Sequence, residues 1–238
     1  MSNLPKLITP CPIIESGIEI RFKTKLVSNI INGMIYNELQ NSYNEIRELP
    51  ILQLPIHIRR NDVNLIYQPH YQLISNNFIL QIGDRVLSLI NPKIGEEYIG
   101  WNEYSNEIKN ILNIFDKLNI IDSVERIGVR YVDFFKEINI FDKITISLTN
   151  PTGYKNEQLQ IKNIFAIEDC KVILNIINNV YLKDNKGSLL DVDAFNEIVL
   201  QMNVNNIFDI IDNLHSLQKK IFFDILTKEY LSSLNPEY

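Results

Sequence analysis

Ser123-Val-Glu-Arg-Ile-Gly-Val-Arg-Tyr-Val-Asp-Phe-Phe135 is the stretch on which the fold turns. It is rich in β-branched and aromatic residues and reads as a strand. On a strand, Arg126, Gly128 and Arg130 share one face, and Ile127, Val129 and Tyr131 share the other. Near the start of the chain, residues 13–23 alternate in the same way. Ile14, Ile18, Ile20 and Phe22 point to one side; Glu15, Glu19, Arg21 and Lys23 point to the other. Laid side by side in one sheet, the two strands gather Glu15, Glu19 and Arg21 beside Arg126 and Arg130.

Between them the period changes. Residues 26–46 carry Val27, Ile30, Ile31, Met34, Leu39 and Tyr43 at helical spacing, with Pro50 beyond the end. Residues 56–60, 63–74 and 78–90 read as strands, with Asn76-Asn77 as a tight turn before the last. Pro92, Gly95 and Gly100 interrupt the chain, and residues 102–119 form a helix on an Ile108, Ile111, Leu112, Phe115 and Leu118 stripe. Asn102 is the expected cap of that helix. The order β-α-β-β-α-β predicts a ferredoxin-like half over residues 1–149, with its first and last strands adjacent mid-sheet. Asn150-Pro-Thr-Gly153 is the strongest internal punctuation. A strand at 143–149 leads into residues 150–238, which then read as an antiparallel meander with strands at 157–168, 171–182 and 188–195 and turns at Glu168-Asp169 and Lys183 to Gly187. One long helix over 203–232 closes the chain. The expected class is therefore α+β, with the two parts packed as one unit.

The chain of 238 residues has a net charge of −6 and a pI near 5.2, which gives no general attraction to phosphate backbones or anionic lipid. No apolar run approaches the ~18–20 residues of a membrane span. Two distant cysteines, Cys11 and Cys170, and no apolar stretch behind the N-terminus point to a reducing, cytoplasmic setting.

Pro12-Ile-Ile-Glu15, Ile18-Glu-Ile-Arg-Phe22, Leu80-Gln-Ile-Gly83, Tyr98-Ile-Gly-Trp101 and Val124 through Tyr131 together resemble a sporadically distributed family of prokaryotic conserved hypothetical proteins of similar length. Leu190-Asp-Val-Asp-Ala-Phe195, His215, Ile221-Phe-Phe223 and Leu226-Thr-Lys-Glu229 extend the likeness to the C-terminal part. The resemblance implies no activity, cofactor or catalytic set. The family's patchy distribution is similar to that of mobile accessory genes, including antiviral defence modules.

The candidate site residues are arginines and aromatics. Arg21, Arg126 and Arg130 on one sheet face suit an anion or an RNA backbone, since the guanidinium forks match phosphate and carboxylate. The plainer reading is a ladder of cross-strand Glu–Arg pairs. Gly128 leaves room either for a ligand or for a bulky neighbour. Arg59-Arg60 would join the patch into a single-strand nucleic-acid platform if Tyr67 or Tyr71 stacked nearby. Tyr131 shares the Arg126–Arg130 strand, and Trp101, the only tryptophan, either lines a pocket or anchors a helix start. Asp191-x-Asp193 is a weak metal signal, with Glu168, Asp169 and Glu197 as further oxygen donors. His57, His70 and His215 stand in no zinc pattern, and there is no phosphate-cradling loop.

No metal or cofactor is expected from these patterns, and the balance leans away from an enzyme. The leading expectation is a binding or assembly subunit that acts with a protein partner or as a homo-oligomer, in a defence or toxin-neutralising module. A nucleic-acid-binding or RNA-processing protein using the arginine face is the first alternative. A small-molecule or nucleotide sensor, with a pocket near Trp101, is the second.

Overall fold

The strands that open and close the first half lie side by side. In the computed structural model, which describes residues 4–92, 98–148 and 157–238, β1 (Ile13–Lys23) pairs antiparallel with β6 (Ser123–Lys136), setting Gly17 opposite Arg130 and Arg21 opposite Arg126. The alternation of β1 holds: Ile18, Ile20 and Phe22 are buried, while Glu15, Glu19 and Arg21 stay partly in water. The register shifts between Ile13 and Glu15, so that Ile13 faces Asp133 and Glu15 faces Val132. Such an irregularity re-aims the side chains beside it.

Around this pair the chain builds a mixed α+β structure with one large antiparallel sheet. The remaining strands are β2 (Glu45–Glu48), β3 (Tyr71–Ile74), β4 (Ile79–Ile82), β5 (Val86–Pro92), β7 (Gln160–Ile167), β8 (Cys170–Leu182), β9 (Asn185–Asn196) and β10 (Leu200–Gln201). Their order is β2-β3-β4-β5-β1-β6-β9-β8-β7, with β10 against the start of β6. The sheet runs without a break from β6 into β9, so the first and second parts of the chain share it.

Among the described residues there are five α-helices: α1 (Ser28–Leu39), α2 (Ile56–Asn61), α3 (Trp101–Lys117), α4 (Val204–Ile225) and α5 (Lys228–Ser233). α3 packs its stripe onto the core face of β1, with Phe115 set edge-on to Phe22 at 6.2 Å. α4 lies across β6 and β9 and touches α3. Ile31 of α1, Phe115 of α3, Ile127 of β6, Val192 of β9 and Ile211 of α4 belong to one hydrophobic core.

Several expectations are corrected. Residues 56–60 are not a strand: Pro55 precedes the helix α2, and Ile56-His-Ile58 is too short to tell a period of two from a helical one. Of the expected strand 63–74 only Tyr71–Ile74 is extended, and it pairs with β2, an edge strand that helical periodicity had absorbed into the preceding helix. The expected strand 78–90 is two strands, folded back where Gly83 N donates to the Val86 carbonyl at 2.9 Å. Asn102 does not cap α3; Gly100 does, at φ 86°, a conformation that glycine adopts without strain. The long C-terminal helix is broken. Leu226 turns extended and bridges to Ile144, and Thr227 then caps α5 by accepting from Tyr230 N at 3.2 Å. Ile144 is the part of the expected strand 143–149 that pairs. Gly95 and Asn150-Pro-Thr-Gly153 lie outside the described residues.

Candidate functional site

The sheet has two unlike faces near its middle. On the face away from the helices, Arg126 bridges β1 and β9, donating to Glu19 at 2.7 Å and to Asp193 at 3.0 Å. Its guanidinium lies across Gly128, where a Cβ would fall 2.6 Å from Nη1, and 4.2 Å over the Phe195 ring. Gly128 is therefore room for Arg126 itself. Arg130 grips Asp191 with two parallel bonds of 2.8 and 2.9 Å, and Arg21 donates to Glu19 at 2.8 Å. Burial pushes the Asp193 carboxyl up, and the nearby Arg126 offsets this only in part. The three arginines are engaged by Glu19, Asp191 and Asp193, so the face is a cross-strand ladder tying β1, β6 and β9 together. The same pairing occupies the two aspartates singled out for metal, and Glu197 pairs with Lys171 at 2.5 Å. Among the described residues no group of three His, Cys, Asp or Glu side chains is arranged to hold a metal ion.

Arg59 and Arg60 serve a different cluster. Arg60 Nε donates to Asp84 Oδ2 at 2.8 Å, and Arg59 Nη1 lies 3.1 Å from His70 Nδ1. Ser28 Oγ is 2.6 Å from the same His70 nitrogen, and the Ser28 amide donates to Asp84 Oδ1 at 2.7 Å. Ser28, His70 and Asp84 are buried. The set has the members of a Ser-His-Asp triad but not its geometry, because Ser28 and Asp84 approach one ring nitrogen rather than opposite ones. Burial pushes His70 down and keeps it neutral. Burial also raises Asp84, but the bonds from Arg60 and Ser28 outweigh it and hold this carboxyl low. The cluster fastens α2 and the start of α1 to the turn between β4 and β5. Tyr67 does sit among arginines, with Arg21 4.6 Å and Arg85 5.2 Å from its ring centre, so those cations already occupy its faces. Tyr71 is buried.

The helix-covered side carries the stronger candidate. A cavity of about 470 Å³ opens between residues 6–13, the end of β6, the start of α3 and one face of α4. Alternation along β6 brings Tyr131 and Asp133 to the same side as Ile127 and Val129, and both line this cavity. Asp133 is 1% exposed, and neither carboxylate oxygen has a hydrogen-bond partner among the described residues. Burial first, and the negative Asp191 second, push its pKa well above the carboxylate range. An ungratified buried polar group of this kind costs about 1–3 kcal/mol and calls for a reason.

Its surroundings are aromatic. Trp101 stacks on His215 of α4, with ring centres 3.8 Å apart and planes within 7°, and its indole N–H donates to Asp212 at 3.0 Å. His215 Nδ1 is also buried without a partner among the described residues. Burial, with Lys219 nearby, brings the His215 pKa down to about 4, so the ring is neutral. The Tyr98 and Tyr131 hydroxyls meet at 2.8 Å, and burial pushes Tyr98 up to about 12. Lys6 and Lys219 also line the cavity, and Lys219 has no ion-pair partner among the described residues.

Of the residues singled out in the sequence, Trp101 and Tyr131 belong to this cavity; Arg21, Arg126 and Arg130 belong to the ladder; Arg59 and Arg60 belong to the His70 cluster. Asp133 and His215 were missed as a pair. The available signal was an acid in the apolar register of a strand, two positions beyond Tyr131. No helix is long and apolar enough to cross a membrane among the described residues. No protein-family model matches the chain, and no curated protein matches it.

Two measurements check these assignments. In chemical denaturation, Arg126→Ala is expected to cost about 1.5–3 kcal/mol, because it strips charged hydrogen bonds from the mostly buried Asp193, whereas Arg130→Ala, at the exposed end of the ladder, costs less than about 1 kcal/mol. Two buried groups tilt the pH profile of stability in opposite directions. Asp133 binds its proton more tightly folded than unfolded, so its contribution is full below the ordinary value of 3.8 and is lost as pH rises through the folded value. His215 binds its proton less tightly folded, so its contribution is full above 6.5 and is lost as pH falls towards about 4. Asp133→Asn should thus remove the loss of stability with rising pH and uncover the fall between 6.5 and about 4 that His215 causes, as read by urea titrations at a series of pH values.

Proposed function

We propose that this protein is a small-molecule-binding protein, a sensor or carrier, with its ligand site in the cavity around Asp133. The observation that carries this reading is the Asp133 carboxyl: fully buried, in the wall of a cavity, with neither oxygen hydrogen-bonded among the described residues. A cavity of about 470 Å³ is within the usual span of small-ligand sites, about 300–1,000 Å³, and its apolar and aromatic walls with few polar groups fit that class. The arginine face gives less support to nucleic-acid binding, since its cations are engaged by carboxylates. A cytoplasmic location remains the reading of the cysteine content, and no catalytic step is assigned.

At the level of architecture, we read the order β6-β1-β5-β4 as a ferredoxin-like core, extended on one side by β3 and β2 and on the other by β9, β8 and β7. Assembly with a partner protein or with a second copy, in a defence module or elsewhere, has one observation in its favour. The edge strand β7 is largely exposed and presents Ile164 at 61% exposure, and unpaired strand edges recruit further strands. Light scattering on the purified chain should then show a dimer that Ile164→Lys returns to monomer; a monomer at every concentration contradicts assembly of the chain with itself.

Trp101, the only tryptophan, stands in the cavity wall and reports directly on occupancy. A screen of small metabolites against the full chain should find compounds that change Trp101 emission saturably. At about 100 times its Kd such a compound adds about 2.7 kcal/mol of stability, a rise of roughly 5–10 °C in Tm for a chain of this size. A library that moves neither emission nor Tm contradicts the reading.

A further inference from the structure

Resting on that reading of the cavity, we infer that its ligand presents a planar N–C–N pair of N–H donors to Asp133 and an anionic group to Lys219 and Lys6. Two bare oxygens of one carboxylate are matched by two parallel donors, the geometry in which forked donors bind acids most strongly. A lone ammonium is a point charge and makes no such match.

The walls favour a flat group. Trp101 and His215 form a parallel stack, and Tyr98 and Tyr131 stand edge to face with ring centres 5.9 Å apart. Planar donors with partial or full positive charge are drawn to aromatic faces. His215 is neutral and cannot itself neutralise Asp133.

The lysines settle the other end. Both line the cavity; Lys219 lacks a carboxylate partner among the described residues, while Lys6 donates to the oxygen of the last residue, Tyr238, at 3.2 Å. Burial, and then the like charge of Lys6, lower the Lys219 pKa. Among the described lining residues, a purely cationic ligand would add a third positive charge against one carboxylate, Asp133. A ligand with a fork at one end and an anion at the other balances both.

Two sources supply this chemistry: a guanidinium on an amino acid, as in arginine, and a guanine edge on a nucleotide, as in guanosine 5′-monophosphate. Titration of the full chain, followed by Trp101 emission and calorimetry, separates them. The probes are arginine, agmatine, guanosine 5′-monophosphate, guanosine and inosine 5′-monophosphate. The expected result is that arginine or guanosine 5′-monophosphate binds. Its partner lacking the anion, agmatine or guanosine, binds at least tenfold more weakly. If the nucleotide is the ligand, inosine 5′-monophosphate, which lacks the second donor, is weakened likewise. Asp133→Asn should reduce affinity at least tenfold without lowering Tm, and Lys219→Ala should abolish the advantage of the anionic probe. Equal binding to wild type and Asp133→Asn overturns the inference. So does a panel that fails while compounds without the donor fork move Trp101 in the wider screen, an outcome that leaves the cavity reading standing. Silence of Trp101 in both sets removes the inference and the cavity reading together.

Discussion

The antiparallel pairing of β1 with β6 is the constraint on which the rest depends. Each strand alternates, so their register decides which side chains meet the helices and which meet water. Ile18 opposite Val129 and Ile20 opposite Ile127 fix the covered face. Glu19 opposite Gly128 and Arg21 opposite Arg126 fix the other. A slip of one residue would exchange the two sets, placing arginines under α3 and α4 and isoleucines in solvent. The cost of that exchange makes the register unique.

From the same register follow two kinds of electrostatics. On the solvent side, acids from β1 and β9 flank arginines from β6, and the charges cancel in a ladder. On the helix side, the apolar series Ile127, Val129 and Tyr131 continues into Asp133, whose oxygens have no hydrogen-bond partner among the described residues. The irregularity opposite Ile13 lies at this point. The apolar helix-side core thus ends in a cavity in whose wall Asp133 has no hydrogen-bond partner among the described residues, while Arg21, Arg126 and Arg130 on the solvent face are each paired with an acid. Charge density draws the eye to the solvent face of the sheet; the accounting of hydrogen-bond partners draws it to the cavity.

Much of the frame was legible in the sequence. Strict alternation over residues 13–23 and 123–135 located both central strands, because a long half-buried strand leaves a clear period of two. The helical stripes of α3 and α4 were equally plain. Short segments were not. Ile56-His-Ile58 carries too few residues to show a period, and four-residue β2 shows no burial pattern at all, every position being exposed. The break between α4 and α5 depends on a long-range bridge from Leu226 to Ile144, which no local pattern encodes. For the site, motif searching weighs arginines and paired acids. It has no weight for a single aspartate whose meaning comes from what is missing around it. Trp101 and Tyr131 were singled out, yet their convergence with His215 requires the packing of α4 across the sheet.

The central claim is that Asp133 is a buried carboxyl without a hydrogen-bond partner among the described residues, its pKa pushed well above the carboxylate range by burial. Carbon-13 NMR of the aspartate side-chain carboxyls, with Asp133→Asn to assign the resonance, tests it directly. The account predicts that in the free protein the Asp133 signal titrates well above the ordinary carboxylate range. A signal that instead titrates in the ordinary carboxylate range near pH 4 would show the group solvated or paired, and would contradict the account.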